Sequence, residues 1–382
     1  MKVVMFLSNP FTNDARVYSE AKSLIQAGYE VTVIAWDRER QNPQRQNWDG
    51  IEVVRSRTRL GPKYGFASWL WNGFNLILWQ QQAYRYTLAL SKKKRFDVIH
   101  CHDLDTLAIG TRLKRKLKIP LIYDAHEIYG YMRARTFGRW IASIFLWLEK
   151  RWITKADTII NVGGAQKRYF SSITDKPISV IMNCKRLQRL EYQPPDSVGD
   201  FTVLYIGVLH KGRAVRMLVQ AAKELPGVRC LIGGIGQPGY VEALKEEWSK
   251  TPNVSFLGRV PFDEVIPMTM KTDVVFCMFD PGDPNSLIGM PNKLFEAMVC
   301  GRPIICTKGT YSGELTEQEE VGLVVEYSEQ ALKEAIIKLR DNPELREKLG
   351  RNALRMAITK YNWQKQEEKL LELYKSLQRD LL

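Results

Sequence analysis

Residues 289–307 read GMPNKLFEAMVCGRPIICT. The stretch Leu294, Phe295, Ala297 and Met298 predicts a short helix with little solvated face, Gly301 is placed to end it, and PIICT after it reads as a buried parallel strand. Upstream, the apolar strand DVVFCMF (273–279) runs into the polar loop DPGDPNSLIGMPN, so the helix starts just past a strand's carboxyl end. In open α/β sheets that edge is where ligands bind, and a helix N-terminus offers free N–H groups and a positive dipole end to a phosphate. Two charges inside such a helix have two readings. Lys293 and Glu296 could form a surface ion pair at i,i+3, worth ~0.2–0.5 kcal/mol. Alternatively, Lys293 adds charge to an anion site and Glu296, one turn deeper, accepts two hydrogen bonds from a ribose diol.

Working outward, the same alternation fills the chain. KVVMFLS predicts a strand, DARVYSEAKSLIQAGYE a helix with Val17, Ala21, Leu24 and Ile25 on one face, and VTVIAW the next strand. FDVIHCHD, a helix near 104–117, PLIYDAHE, a long helical stretch near 137–155, ADTIINV and ISVIMN (178–183) continue it. After the connector CKRLQRLEYQPPDSVGD a second series begins at FTVLYIG, with helices at 214–224, 239–249 and 263–271, and closes on VGLVVE. Strands alternating with helices imply an α/β class of two facing Rossmann-like, doubly wound domains with a cleft between them. The expected boundaries are 1–184 for the first domain, 185–199 for the linker and 200–360 for the second. A helix over 361–382 is expected to pack back on the first domain.

With 382 residues, 45% of them hydrophobic and 26% charged, the chain has the composition of a soluble globular protein. Its six cysteines show no CxxC spacing and its four histidines make no HExxH-type site, so a reducing compartment is expected and no metal site is. MKVVMFLSNP carries too short an apolar run for a signal peptide, which leads to an expectation of a cytoplasmic location. A net charge of +14 calls for an anionic partner: nucleic acid, an acidic membrane or a phosphorylated substrate.

Taken in order, MPNKLFEAMVCGRPIICT, NDARVYSEAKSLIQAGYEVTVIAW, HCHDLDTLAIG, PLIYDAHE and NVSFLGRVPFDEVIPMTMKTDVVF resemble the segments of family-4 retaining glycosyltransferases of GT-B architecture, over nearly the whole chain. The resemblance extends to a branch with a PNKLFE donor-site signature. It implies transfer of a sugar from a nucleotide-diphosphate sugar, metal-independent and with retention. Glu296 then matches the second Glu of an E-x7-E motif that binds the donor ribose. The first Glu would lie at 288, where this chain has Ile288, which leaves the contacts to the sugar ring open.

In that family an Arg and a Lys grip the diphosphate just after the second domain's first strand. Here YIGVLHKGRAVRMLV places Val208 at the usual Arg position, with Lys211 and Arg213 on the turn that opens the next helix. Such a turn with two cations can hold a diphosphate, or the pair can be ordinary solvated residues. Arg213 is the expected phosphate ligand, with Lys211 beside it and Lys293 opposite. Gly207, Gly234 of the GGIG loop (233–236), Gly289 and Asn292 complete the expected donor site. His102 and His126 end two apolar strands and each precedes an acid, Asp103 or Glu127. By resemblance His126 contacts the transferred sugar, and His102 or Asp103 the acceptor side. DLD (103–105) mimics a metal-binding DxD, but a helix-capping role for Asp103 is the expectation.

Residues 55–95 and 133–152 mix Trp, Phe, Leu and Ile with flanking Arg and Lys. Neither carries the ~20 apolar residues of a bilayer span. Both suit helices lying on an anionic membrane surface, with Trp69, Trp71 and Trp79 at the interface, presenting the protein to a lipid-linked or glycan acceptor; both also suit core helices with solvated ends. Two other functions compete: a GT-B sugar-nucleotide epimerase, which would keep the ribose Glu, and a basic RNA-binding protein. No RNP-type or helix-turn-helix signature supports the second, so no nucleic-acid partner is expected.

Overall fold

The structure is a computed structural model that describes residues 1–12, 14–61, 68–195, 199–248 and 251–379. It divides into two compact units, Met1–Ile181 with Glu367–Leu382, and Met182–Gln366.

The first unit runs β1 (Lys2–Leu7), α1 (Ala15–Gln26), β2 (Glu30–Trp36), β3 (Arg45–Trp48), β4 (Ile51–Ser56), α2 (Ser68–Ser91), β5 (Val98–His102), α3 (Leu104–Leu117), β6 (Leu121–Ala125), α4 (Tyr129–Phe137), α5 (Arg139–Ile153), β7 (Thr158–Asn161), α6 (Gly164–Ser171) and β8 (Ile178–Val180). Its eight-stranded sheet has the order β3-β4-β2-β1-β5-β6-β7-β8. Every neighbouring pair is parallel except β3 and β4. That pair is joined by Asp49-Gly50, both with positive φ (52° and 90°), the backbone a two-residue hairpin turn requires. β1, β5 and β6 are apolar along most of their length and buried, as strands covered on both faces must be. Helix α1 starts on Asp14, whose carboxylate accepts from the Val17 N–H at 3.2 Å, and buries Val17, Ala21 and Leu24.

The second unit runs β9 (Phe201–Ile206), α7 (Val215–Glu224), β10 (Val228–Gly233), α8 (Pro238–Trp248), β11 (Val254–Gly258), α9 (Val265–Met270), β12 (Val274–Cys277), α10 (Pro284–Ile288), α11 (Asn292–Cys300), β13 (Ile304–Thr307), α12 (Tyr311–Gln318), β14 (Gly322–Val325), α13 (Glu329–Asp341) and α14 (Pro343–Thr359). Its six strands are all parallel, in the order β11-β10-β9-β12-β13-β14. The last helix, α15 (Trp363–Arg379), passes into the first unit at Glu367.

Both strand orders reverse direction once, between β1 and β5 in the first unit and between β9 and β12 in the second. The crevice outside the carboxyl ends at such a reversal is where doubly wound sheets hold ligands. His102 ends β5, and the Gly207 and Phe279 loops follow β9 and β12. Helix α11 is anchored beside that second reversal by Leu294, Phe295, Ala297 and Met298, all 0–1% exposed; each of the larger side chains is worth ~1.5–3 kcal/mol of burial.

Trp79 is not an interface residue. It is fully buried and stacked on Trp36, ring centroids 5.4 Å apart, because α2 turns that face onto the sheet. Residues 62–67 and the side chain of Trp69 lie outside the described residues. Among the described residues no helix is long and apolar enough to cross a membrane.

Candidate functional site

In the second unit the loops after β9 and β10 press together: the Gly207 N–H donates to Gly233 O at 3.0 Å, and a Cβ on Gly234 (φ +139°) would lie 1.8 Å from Gly207 O. Only glycine fits at 234. A Cβ on Gly207 would come within 3.2 Å of Lys293 Nζ, so this glycine leaves room for the lysine head. That ammonium sits 4.0 Å above the Tyr205 ring and 5.4 Å from the Phe279 ring. The Arg213 guanidinium lies 4.1 Å from the same Phe279 ring, and its Nε donates to His210 Nε2 at 2.9 Å. Phe279 thus gathers two cations from separate loops. Burial is the main reason the Lys293 pKa falls to about 8; Cys277 opposes it, Arg213 adds to the lowering by less, and Glu296 opposes it more weakly still. Two cations on one ring, with Lys293 buried and making no ion pair or hydrogen bond among the described residues, are an arrangement that can receive an anion.

The i,i+3 ion pair between Lys293 and Glu296 is not made. Glu296 instead faces Lys185, whose Nζ is 3.1 Å from its Oε1, and Lys185 also lies 4.7 Å from the Phe262 ring. Asn292, exposed, is the first residue of α11, and Pro291 before it supplies no side-chain cap; the Leu294 N–H donates to Pro291 O at 3.2 Å, which leaves the Asn292 and Lys293 N–H groups for a ligand. Gly289 follows α10 immediately after Ile288. Lys211 is exposed and makes no ion pair among the described residues; it is not drawn into the Phe279 cluster.

In the first unit a buried polar chain runs behind His126. Its Nε2 is 3.2 Å from Asp124 Oδ2 and 3.3 Å from His102 Nδ1, while His102 Nδ1 is 3.1 Å from the same Asp124 oxygen. Asp124 is gripped by the Arg16 guanidinium, which also pairs with Glu20 at 3.0 Å. His100 stacks on His102 at 4.3 Å, and its Nδ1 is 2.8 Å from the hydroxyl of Tyr374 on α15. Burial disfavours charge on His126, but the carboxylates of Asp103 and Asp124 outweigh it and push its pKa up to about 9. His102 goes the other way: burial and the adjacent His100 push it down to about 3. Burial also lifts Glu20 to about 8, whereas Arg16 and His126 overcome burial to hold Asp124 well below the usual carboxylate range. At neutral pH Asp124 is therefore ionised, His126 is an imidazolium, and His102 and Glu20 are neutral.

His102, expected on the acceptor side, is 1% exposed and sits behind His126, where it can orient that ring but cannot meet a substrate. His126 and Asp103 are the members that reach solvent, their side chains 19% and 31% exposed. Asp103 stands at the N-cap position of α3, where its carbonyl accepts from the Thr106 N–H at 3.2 Å, but its side chain makes no capping bond. Its carboxylate accepts from the His126 backbone N–H at 3.2 Å, and its own φ of +61° is a strained setting of the kind functional loops tolerate. The donor atoms of Glu20, His100, His102 and Asp124 all lie within 4.8 Å of one another, a spacing that suits a metal, but the Arg16 guanidinium already contacts both Glu20 and Asp124 there. Asp124 is a lone charge in the apolar run PLIYDA, a signal that sequence reasoning missed; Arg16, Tyr205 and Phe279 carry no signal of their own.

Comparison with known proteins follows the same division. Residues 15–189 match the family model described as Glycosyltransferase Family 4, and residues 200–342 match that of Glycosyl transferases group 1. An uncharacterized glycosyltransferase of Methanocaldococcus jannaschii is 26% identical over 312 residues, 80% of this chain and 82% of its own. The UDP-Gal:alpha-D-GlcNAc-diphosphoundecaprenol alpha-1,3-galactosyltransferase of Escherichia coli is 22% identical over 308 residues, 75% of this chain and 76% of its own. Among solved structures, sucrose-phosphate synthase from Thermosynechococcus elongatus superposes with a TM-score of 0.81 at 18% identity, covering 100% of both chains; at that identity the likeness speaks for the fold.

Proposed function

Starting from the premise that this chain belongs to the glycosyltransferases, a family-4 domain followed by a group 1 domain, we propose that it moves a hexosyl group from a nucleotide-diphosphate sugar to a lipid-linked or glycan-precursor acceptor, with retention. The observation that carries the reading is the convergence of Lys293 and Arg213 on Phe279, with Glu296 one turn further along the same helix as Lys293. In this reading the two cations and the open first turn of α11 hold the diphosphate, and Glu296 holds the ribose. Gly207, Gly234, Gly289 and Asn292 line the same site, and the sequence belongs to the branch with the PNKLFE signature.

The chemistry follows from charge. The bond from the anomeric carbon to the diphosphate oxygen breaks, leaving positive charge on the sugar and negative charge on the leaving group. The acceptor oxygen forms the new bond on the same face, and its proton passes to the departing phosphate. The protein's task is to stabilise that leaving charge with fixed cations, for which no metal is required. The His126 imidazolium, held by Asp103 and Asp124, serves as a hydrogen-bond donor to the transferred sugar.

The acceptor reading is supported by the exposed faces of α5 and α2. Trp140, Ile144 and Trp147 are 69%, 49% and 59% exposed at helical spacing, next to Lys150 and Arg151, and Trp71, Phe74 and Ile77 are exposed on α2. Such faces suit peripheral docking on the anionic cytoplasmic side of a membrane, and the relative named for a diphosphoundecaprenol substrate fits a lipid-linked acceptor. Transfer of labelled sugar from a panel of nucleotide sugars to a polyprenyl-diphosphate glycan, in EDTA, tests the whole reading. Release of an isomerised nucleotide sugar without acceptor would point to an epimerase instead.

A further inference from the structure

Strands β2 and β4, the start of the β3 hairpin and helix α2 line a cavity of about 460 Å³ in the first unit. Four arginines reach it, Arg45, Arg55, Arg57 and Arg85, with Gln82 and Tyr86, and none of its described lining residues is an Asp or a Glu. Guanidiniums do not gather without countercharge at no cost: at an effective dielectric of ~20, a pair ~7 Å apart repels by ~2 kcal/mol. Arg59, on the same segment, shows the usual solution, pairing with Glu39 at 3.0 Å.

Among the described residues none of the four cavity arginines makes an ion pair, although the buried Asp37 carboxylate acts on Arg55 through space and offsets part of the cost of burying it. Arg55 is 3% exposed and is fixed by neutral acceptors only: Pro10 O at 2.7 Å, Pro43 O at 3.1 Å, Gln46 Oε1 at 2.9 Å and Phe11 O at 3.3 Å. It is a rigid buried charge. Arg57 bonds the Asn42 carbonyl through one terminal nitrogen, while its Nε is buried with no acceptor. Among the described residues Arg45 bonds only the Tyr86 hydroxyl, at 3.1 Å, and Arg85 makes no side-chain hydrogen bond. Planar forks with unused N–H groups match the paired oxygens of a phosphate.

Position supplies the role. Arg57 directly follows the last residue of β4, at the same carboxyl edge of the sheet on which His102 ends β5. Three strand steps separate β4 from β5, roughly 14 Å at ~4.8 Å each, a span that a phosphorylated glycan covers. We propose that this arginine cavity is a second anion site, which binds the phosphate or diphosphate of the acceptor. The anion site stands on its own geometry; its assignment to the acceptor rests on the transferase reading.

The test uses the full chain carrying Arg213→Ala and Lys293→Ala, which disables the donor-side cations, titrated with inorganic pyrophosphate by calorimetry. The expected result is one remaining site, weakened at least tenfold when Arg57→Ala and Arg85→Ala are added, with the melting temperature kept. Should the alanine variants unfold, Arg57→Gln and Arg85→Gln replace them with the same expectation. Unchanged pyrophosphate affinity in the variants, or no remaining site before them, overturns the proposal. A donor-site failure reads differently: wild type and the Arg213/Lys293 variant would bind the same number of pyrophosphates. Displacement of pyrophosphate by geranyl diphosphate in the absence of lipid supports the acceptor's own diphosphate as ligand. Displacement only by phosphatidylglycerol vesicles assigns a lipid headgroup and overturns the acceptor role.

Discussion

Lys185 Nζ lies 3.1 Å from Glu296 Oε1, with both side chains about nine-tenths buried, so the carboxylate proposed to hold a ribose is already neutralised from the linker side. A carboxylate has room for several donors, and a ribose diol can bond Glu296 while Lys185 stays in place. Glu296→Ala is expected to weaken binding of nucleoside and nucleoside diphosphate alike, by roughly 10- to 100-fold for ~1.5–3 kcal/mol of lost charged hydrogen bonds. Lys185→Ala should keep nucleoside affinity within a few-fold but lower stability by ~1–3 kcal/mol, since it leaves Glu296 buried without its cation. Calorimetry with free nucleosides and denaturant unfolding separate the two effects.

Lys293 gives the site a pH signature. Burial, with Arg213 close by, sets its pKa at about 8, and a bound diphosphate stabilises the charged form, so binding near pH 8 takes up a proton. Affinity for a nucleoside diphosphate should fall as pH rises past about 8, while affinity for the nucleoside stays level. Lys293→Met should remove that dependence. The free protein shows the opposite sign in stability: the unfolded lysine titrates near 10.4, so the unfolded chain binds more protons between about 8 and ~10.4, and stability rises with pH across that window. Titration in buffers of different ionisation enthalpy measures the proton uptake.

His126 is expected to act as an imidazolium. Its pKa is raised to about 9 from an ordinary ~6.5, so its stabilising pairing with Asp124 is fully present below about 6.5 and lost as pH rises through about 9, while Asp103, lifted to about 7 by burial, joins as a carboxylate only above that pH. Turnover should decline over that upper limb. His126→Gln should cost about 100-fold in kcat, the scale of one lost electrostatic donor, and leave the donor Kd unchanged. A wild-type kcat in that variant would remove His126 from the chemistry.

Membrane docking through α5 predicts that cosedimentation with vesicles requires anionic lipid and weakens as salt shortens the Debye length. Trp140→Ser with Trp147→Ser should abolish it, whereas Trp71→Ser alone should reduce it. Trp79 is excluded from this test because it is a core residue. Vesicle binding that survives the Trp140/Trp147 change would assign the docking face elsewhere.

The alternation of strands and helices was readable because strands buried on both faces are written as continuous apolar runs, as in DVVFCMF and FTVLYIG. The hairpin of β3 and β4 is written differently: RQNWDGIEVVRS is polar on one strand, and its signal is the Asp49-Gly50 turn. The joint position of Lys293 and Glu296 on a buried helix was likewise legible, but not their partners, since Lys185 and Phe279 come from distant segments that only the fold brings near. His102 and His126 looked equivalent in sequence because both end apolar strands. Packing separates them, since His102 lies within β5 while His126 stands one residue beyond β6. The arginine cavity is invisible to pattern reading, because Arg45, Arg57 and Arg85 are spread over a hairpin and a helix.

The proposed nucleotide-sugar site rests on Phe279, Lys293, Arg213 and Glu296 together. Its most direct measurement is a calorimetric panel of UDP-, GDP- and ADP-sugars against wild type and the Arg213→Ala/Lys293→Ala variant. Wild type is expected to bind at least one nucleotide sugar, the variant to bind it at least tenfold more weakly, and both to bind the matching free nucleoside equally. Equal binding of the nucleotide sugar by both proteins, or no binding by wild type, would contradict it.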